Sequence, residues 1–168
     1  MSMLKHTAAD SLARMSAGYT TFGLMSGIYF RQLTRYMGTD PHVGQLRILH
    51  THCLALGTIF NLIALVLEKQ CNLSAQKSYK KFTLYYHFGL GITLTMMTIH
   101  GTFTTVGHDL YTRWFTYPAA FGHGLISLGF YYFFDCLQDA MQAENKTANV
   151  DSANKIAMNG KSTKAVAM

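Results

Sequence analysis

Uncharged, largely apolar segments dominate the pattern along the chain. Residues 48–67, 82–106 and 114–134 contain no Asp, Glu, Lys or Arg, and residues 15–30 are uncharged up to Arg31. A helix rises 1.5 Å per residue, so about 20 apolar residues cross the roughly 30 Å hydrocarbon core of a bilayer. The pattern predicts four membrane-spanning helices, at about residues 15–33, 47–67, 82–106 and 115–135.

A soluble four-helix bundle is the alternative to this fold. It needs polar residues on the outer face of every helix at a period of 3.6. Three successive charge-free segments do not supply them, and charged residues make up only 13% of the chain, against about 25% in globular proteins. We predict an all-α integral membrane protein, an antiparallel up-down-up-down four-helix bundle, because short connections make sequential helices antiparallel neighbours. Pro118 is expected in the first turn of the fourth span, where its missing N–H costs little.

The charged residues set the predicted boundaries and orientation. Residues 1–14 form an N-terminal segment, residues 15–139 the transmembrane domain, and residues 140–168 a polar tail without periodicity that is predicted to be disordered. The N-terminus, middle loop and tail hold ten Lys and Arg residues, against four in the other two loops. Because cytoplasmic loops are enriched in Lys and Arg, both termini are predicted to be cytoplasmic.

Histidines are the candidate functional residues. The chain has eight, and five fall in or beside the predicted spans: His50, His52, His87, His100 and His123. Ionisable groups at membrane depth are costly and usually mark function. Counting turns from the span ends puts four of them in one layer, roughly 5–10 Å below the outer interface, and puts His87 near the opposite interface. His50 and His52 lie about 200° apart on one helix, and His50 is expected to face inward because it shares its side with small and polar residues.

Such a layer predicts a haem b site, because a four-helix bundle can hold haem between two imidazoles on facing helices. Gly122 and Gly124 would leave room for a flat macrocycle beside His123. The predicted cofactor-binding residues are the axial ligands His50 and His123, His100 as a substitute for either, His52 as a supporting neighbour, and Arg31 and Arg47 for the propionates.

Two alternatives stay open. A Zn or Cu ion would need three or four converging ligands, with His50, His123 and His100 as the metal ligands. In the other alternative no cofactor is bound, the histidines hydrogen-bond between helices, and the protein is a non-catalytic membrane subunit or scaffold. No phosphate loop, nucleophile elbow or Cys-x-x-Cys motif indicates an enzyme, and no motif supports a nucleic-acid partner.

Several motifs between residues 18 and 134 resemble a family of small bacterial four-span membrane proteins of unknown function, the domain of unknown function 2871 type. They are Tyr19-x-x-x-Gly23-x-x-Ser26-Gly27-x-x-x-Arg31, Leu49-His50-Thr51-His52-x-Leu54-x-x-Gly57, Glu68-Lys69 and Gly122-His123-Gly124. The resemblance implies a multi-pass protein of the bacterial cytoplasmic membrane, whose expected partners are the lipid bilayer and a second copy or a larger membrane complex.

A second resemblance concerns the haem ligands. Arg47-x-x-His50-Thr51 is similar to the haem-ligand helix of the nitric oxide reductase catalytic subunit. Phe121-Gly122-His123-Gly124-Leu125 is similar to the corresponding segment of the haem–copper oxidases. This resemblance implies haem ligation by His50 and His123. The chain is too short for the complete catalytic subunit of these enzymes, so the resemblance extends to haem binding and not to their catalysis.

Overall fold

Four helices make up the computed structural model, which describes residues 2–40, 44–108 and 113–166, without the side chains of residues 2–6, 113–115, 148 and 150–166. They are α1 (Ser2–Met37), α2 (Leu46–Cys71), α3 (Tyr79–Thr105) and α4 (Arg113–Val166), with a short 3-10 turn at Leu73–Ala75 between α2 and α3. No strand occurs among these residues. The predicted all-α class with four helices is confirmed.

Membrane crossing is supported for one of the four helices by length and composition. In the part of the chain that the structure describes, α2 is the one helix long and apolar enough to cross a membrane, with a mean hydropathy of 1.6. The core helix of a soluble protein can meet the same criterion. The prediction of four membrane spans is therefore not established by this criterion.

Glycines set how closely the helices pack. The structure pairs α1 with α2 and α3 with α4, and α3 touches α1 at few points. A Cβ added at Gly23 of α1 would lie 2.9 Å from Cβ of Cys53 in α2, and one added at Gly129 of α4 would lie 2.8 Å from the backbone of Tyr86 in α3. Distances this short mean that the missing side chains permit the close approach of the helix pairs.

The middle of α2 is a π-helix, Cys53–Ile59. Gly57 lies in this segment, and the ring of Tyr19 in α1 occupies the place where a Cβ of Gly57 would stand. Side chains bond the carbonyl groups of the segment: the hydroxyl of Tyr86 donates to the carbonyl of Leu56, and the amide of Asn61 donates to the carbonyl of Gly57. The wider turn is therefore held by hydrogen bonds from α2 itself and from α3.

A buried carboxylate holds the connection between α2 and α3. Glu68 is fully buried, and its two oxygens accept hydrogen bonds from the backbone N–H and the hydroxyl of Ser74, at 2.7 and 2.6 Å. The thiol of Cys136 in α4 donates to the carbonyl of Leu73 at 3.3 Å. These bonds fix the turn against the end of α4.

Helix α4 differs from the prediction at both ends. It begins at Arg113, so Pro118 lies inside the helix and beyond its first turn. It also continues to Val166, whereas we predicted that residues 140–168 are disordered. Residues 140–159 contain no Gly or Pro, and half of them are Ala, Lys, Gln or Met, residue types of high helix propensity.

Candidate functional site

Helix packing fixes the relative depths of the histidines predicted to form one layer. Leu46 of α2 contacts Gly101 of α3, and Gly122 of α4 packs between Gly89 and Thr93 of α3. Distances along the helix axes can be counted at 1.5 Å per residue from the contact of Leu46 with Gly101 toward the connection between α2 and α3. On this scale His100 lies at about 2 Å, His50 at about 6 Å, His52 at about 9 Å and His123 at about 12–18 Å. The histidines are spread over more than 10 Å, because α4 begins earlier than predicted and the glycine contacts set its register against α3.

His50 packs against α1. A Cβ added at Gly27 would lie 3.8 Å from Cβ of His50. Its Nδ1 is buried and has no hydrogen-bond partner among the described residues, and its Nε2 lies 3.5 Å from the hydroxyl of Thr51. The imidazole therefore faces the α1–α2 interface, as predicted, but α4 packs elsewhere and the structure does not bring His123 to it.

His123 is exposed on α4, and its Nδ1 lies 2.8 Å from the carbonyl oxygen of Ala119. A carbonyl only accepts hydrogen bonds, so Nδ1 carries the proton and Nε2 of the neutral ring keeps its lone pair. Half-buried His52 makes the same bond with Ile48, at 3.0 Å. Histidines that bind a metal usually hold their second nitrogen in this way. Both imidazoles are therefore in the tautomer that can bind iron through Nε2.

The other predicted ligands are not drawn into a common site. His100 is half-buried near the C-terminal end of α3, and Arg31 and Arg47 are exposed. Within the described ranges, no group of three or more His, Cys, Asp and Glu side chains is arranged to hold a metal ion. The geometry gives no support to the Zn or Cu alternative.

His87, predicted to lie near the opposite interface, contacts α1. Its Nδ1 is 3.2 Å from the hydroxyl of Tyr19 in α1, the two rings stack at a centroid distance of 5.9 Å, and Tyr86 packs edge-on against it. His87 follows Lys81 by six residues, which places it about 9 Å further along α3. The position of α1 against α3, which the spans alone do not determine, leaves this residue half-buried.

Two open grooves flank His87. The first, with a volume of about 370 Å³, lies between α1 and α3 and is lined by Met15, Gly18, Tyr19, Phe22 and His87. The second, of about 330 Å³, runs along α3 and is lined by His87, Phe88, Gly91, Ile92, Thr95 and Met96. A Cβ added at Gly18 or Gly91 would meet no atom within 4 Å, so both glycines border open space. We call the first of these the α1–α3 groove.

Sequence reasoning missed the pair of Tyr19 and His87. Tyr19 opens the first motif of the family resemblance, and His87 was assigned to an interface because only its distance from the span end was used. The sequence feature that connects them is Gly57 of α2. Because Gly57 has no side chain, the Tyr19 ring can pack in that place. This relation involves three helices and is not visible in the spacing within any one of them.

Comparisons with known proteins place the chain in a family but assign no activity. No curated protein and no solved structure is significantly similar to it, so the resemblance to haem–copper oxidases and nitric oxide reductases is not shown. Residues 10–140 match DUF2871, a family described as proteins of unknown function. The match takes in α2 and α3 whole and the adjoining parts of α1 and α4, and the chain therefore belongs to the DUF2871 family.

Proposed function

We propose that this protein is an integral-membrane four-helix bundle of the bacterial cytoplasmic membrane, with both termini cytoplasmic, that binds haem b. Large apolar side chains exposed on every helix support membrane embedding. Leu24 of α1, Ile63 of α2, Phe88 of α3 and Tyr131 of α4 are each 50–65% exposed. They lie in the charge-free segments, where water would leave them uncovered and lipid would cover them.

The observation that carries haem binding is the hydrogen bond of His123. Its Nδ1–H is held by the carbonyl of Ala119, and the exposed ring keeps a lone pair on Nε2. A Cβ added at the neighbouring Gly124 would meet no atom within 4 Å, so the surface beside the ring is open. A neutral imidazole with one nitrogen fixed and the other accessible is a suitable axial ligand for haem iron.

His52 is the second ligand that we propose. It has the same tautomer as His123, and of the three other histidines in the predicted layer it lies closest to His123 in depth, about 3–9 Å away along the helix axes. His50 faces α1 and is proposed to support packing. Haem bound here would serve electron transfer, sensing or haem handling.

The second candidate function is a non-catalytic membrane subunit or scaffold. The observation that favours it is that His52 and His123 bond carbonyls of their own helices, and His50 packs against Gly27. Each of these contacts stabilises helices without any cofactor.

Haem binding is tested with protein purified from haem-replete cells. We expect a Soret band that shifts and sharpens on reduction. His123→Ala and His52→Ala are each expected to lose most of the bound haem, because each removes one of the two proposed axial ligands. His108→Ala is the matched control, since His108 is also exposed but lies beyond the end of α3; it is expected to keep full absorbance.

Two outcomes would contradict the haem proposal. Colour that survives both substitutions would exclude these two ligands. A colourless wild type whose His123→Ala and His52→Ala variants differ from it only in melting temperature would establish the scaffold function.

A further inference from the structure

His87 presents a chemical group different from that of His123. The hydroxyl of Tyr19 lies 3.2 Å from Nδ1 of His87, and because a phenol is a stronger hydrogen-bond donor than acceptor, we assign Tyr19 as the donor. The proton of the neutral imidazole is then on Nε2. This Nε2–H is buried and has no hydrogen-bond partner among the described residues. The bundle therefore holds an unsatisfied donor where His123 holds a lone pair.

The surroundings of this donor define what would satisfy it. The α1–α3 groove is lined by the aromatic rings of Tyr19 and Phe22 and by the flexible side chain of Met15. Gly18 contributes open space, and His87 lies about 9 Å beyond Lys81, at hydrocarbon depth in the proposed membrane orientation. The complementary ligand is lipid-soluble, flat and carries a hydrogen-bond acceptor.

We propose that the α1–α3 groove binds the head group of a lipid-soluble quinone, with a ring carbonyl accepting a hydrogen bond from Nε2–H of His87. The flat ring packs against Tyr19 and Phe22, and because Nε2 of His87 is closed to solvent, a lining side chain must move to admit the carbonyl. Tyr19 is a positioning residue, because it fixes the tautomer of His87. The inference rests on membrane embedding but not on haem binding.

Acyl lipids also carry carbonyl groups, so the probes separate the two sources. Decylubiquinone, methyl oleate and an alkylbenzene would be titrated in turn into the full-length protein in detergent micelles. We expect saturable binding of decylubiquinone at one equivalent per chain, and an infrared carbonyl stretch of the bound quinone shifted to lower wavenumber. Equal binding of methyl oleate would overturn the assignment to a quinone ring, and equal binding of the alkylbenzene would overturn the hydrogen bond.

Variants locate the site. Gly18→Leu fills the groove from a position with no neighbour within 4 Å, so it is expected to abolish saturable binding without lowering the melting temperature. His87→Phe is expected to weaken binding roughly three- to tenfold and to remove the infrared shift, and His87→Gln, which restores an N–H donor, to recover part of both. Tyr19→Phe is expected to reduce the shift, because Nδ1 can then hold the proton.

Gly124→Leu is the matched control on α4, also at a position with no neighbour within 4 Å. It is expected to bind quinone normally and to lose haem, whereas Gly18→Leu keeps haem, so failure of one proposal is distinguishable from failure of the other. Loss of quinone on Gly91→Leu with retention on Gly18→Leu would overturn the assignment to this groove. An unshifted carbonyl stretch in the wild type would overturn the role of His87.

Discussion

His123 and His87 differ in the partner of Nδ1, and that difference sets their proposed roles. The carbonyl of Ala119 can only accept, which leaves Nε2 of His123 with a lone pair. With the hydroxyl of Tyr19 assigned as the donor, Nε2 of His87 carries a proton. The first arrangement suits a metal and the second suits a carbonyl oxygen. Residue type alone would assign the same chemistry to both.

Cys136, Tyr79 and Glu68, near the connection between α2 and α3, give a prediction of pH dependence. Burial, together with the carboxylates of Asp139, Glu68 and Asp135, raises the pKa of the Cys136 thiol from 9.0 to about 12. Burial and Glu68 likewise raise the pKa of Tyr79 from 10.0 to about 12. Both groups stay protonated in the folded protein at pH values where they ionise in the unfolded chain.

Stability is therefore expected to fall as the pH rises from about 9 to about 12. In that window the unfolded state binds fewer protons than the folded state, so the free energy of unfolding decreases with pH; below about pH 9 these groups contribute no pH dependence. Cys136→Ser, which keeps a donor for the carbonyl of Leu73, is expected to reduce the slope, and Cys71→Ser is the control. Melting temperatures between pH 8 and 11 measure this, and equal slopes for the two variants would contradict it.

At the scale of elements, the π-helix of α2 links the helices around the α1–α3 groove. Gly57 leaves room for the Tyr19 ring, and Tyr19 reaches His87 of α3. Tyr86 of α3 in turn bonds the carbonyl of Leu56 in the π-helix. The π-helix of α2 therefore helps to position the imidazole of His87 on α3.

Gly57→Ala tests this linkage. The added methyl group would overlap the Tyr19 ring, and overpacking of this kind costs about 1–3 kcal/mol, so the melting temperature should fall. Gly91→Ala is the matched control; it adds a methyl group into open space and should gain up to about 1 kcal/mol from helix propensity. Circular dichroism melts in detergent compare the two, and a Gly57→Ala variant as stable as Gly91→Ala would show that Tyr19 is not held by this contact.

At the scale of the whole molecule, the charged residues and the exposed apolar residues occupy different parts of the helices. Exposed apolar side chains such as Leu24 and Phe88 lie between the charged ends of the helices. Lys77 lies between α2 and α3, with Lys69, Lys80 and Lys81 in the adjoining helix turns, whereas the connection between α1 and α2 is flanked by Arg35 and Arg47. This asymmetry is the basis of the proposed orientation.

Cysteine labelling of intact cells tests the orientation. In a Cys71→Ser background, in which the two remaining cysteines are buried, a membrane-impermeant maleimide should label the Asp40→Cys variant in intact cells. It should label Lys77→Cys only after lysis. The reverse pattern would invert the topology, and recovery of the protein in the soluble fraction would exclude membrane embedding.

The sequence by itself determined the four helices, because uncharged apolar segments broken by Gly, Pro and charged residues specify helix number locally. It also singled out His50 and His123 as predicted ligands, with His100 and His52 beside them, since ionisable groups in such segments are few. It did not determine the ends of α4: Pro118 and the polar tail indicated a shorter helix, whereas α4 runs from Arg113 to Val166.

Only the tertiary structure decided which side chains meet. Depth along each helix follows from counting residues, but the register between helices depends on contacts such as Gly122 with Thr93 and Leu46 with Gly101, which join residues far apart in the chain. These contacts separate the predicted histidine layer and bring Tyr19 to His87. Helix formation depends on neighbours within four residues, whereas a site between helices depends on how closely their surfaces fit, and a single sequence does not specify that fit.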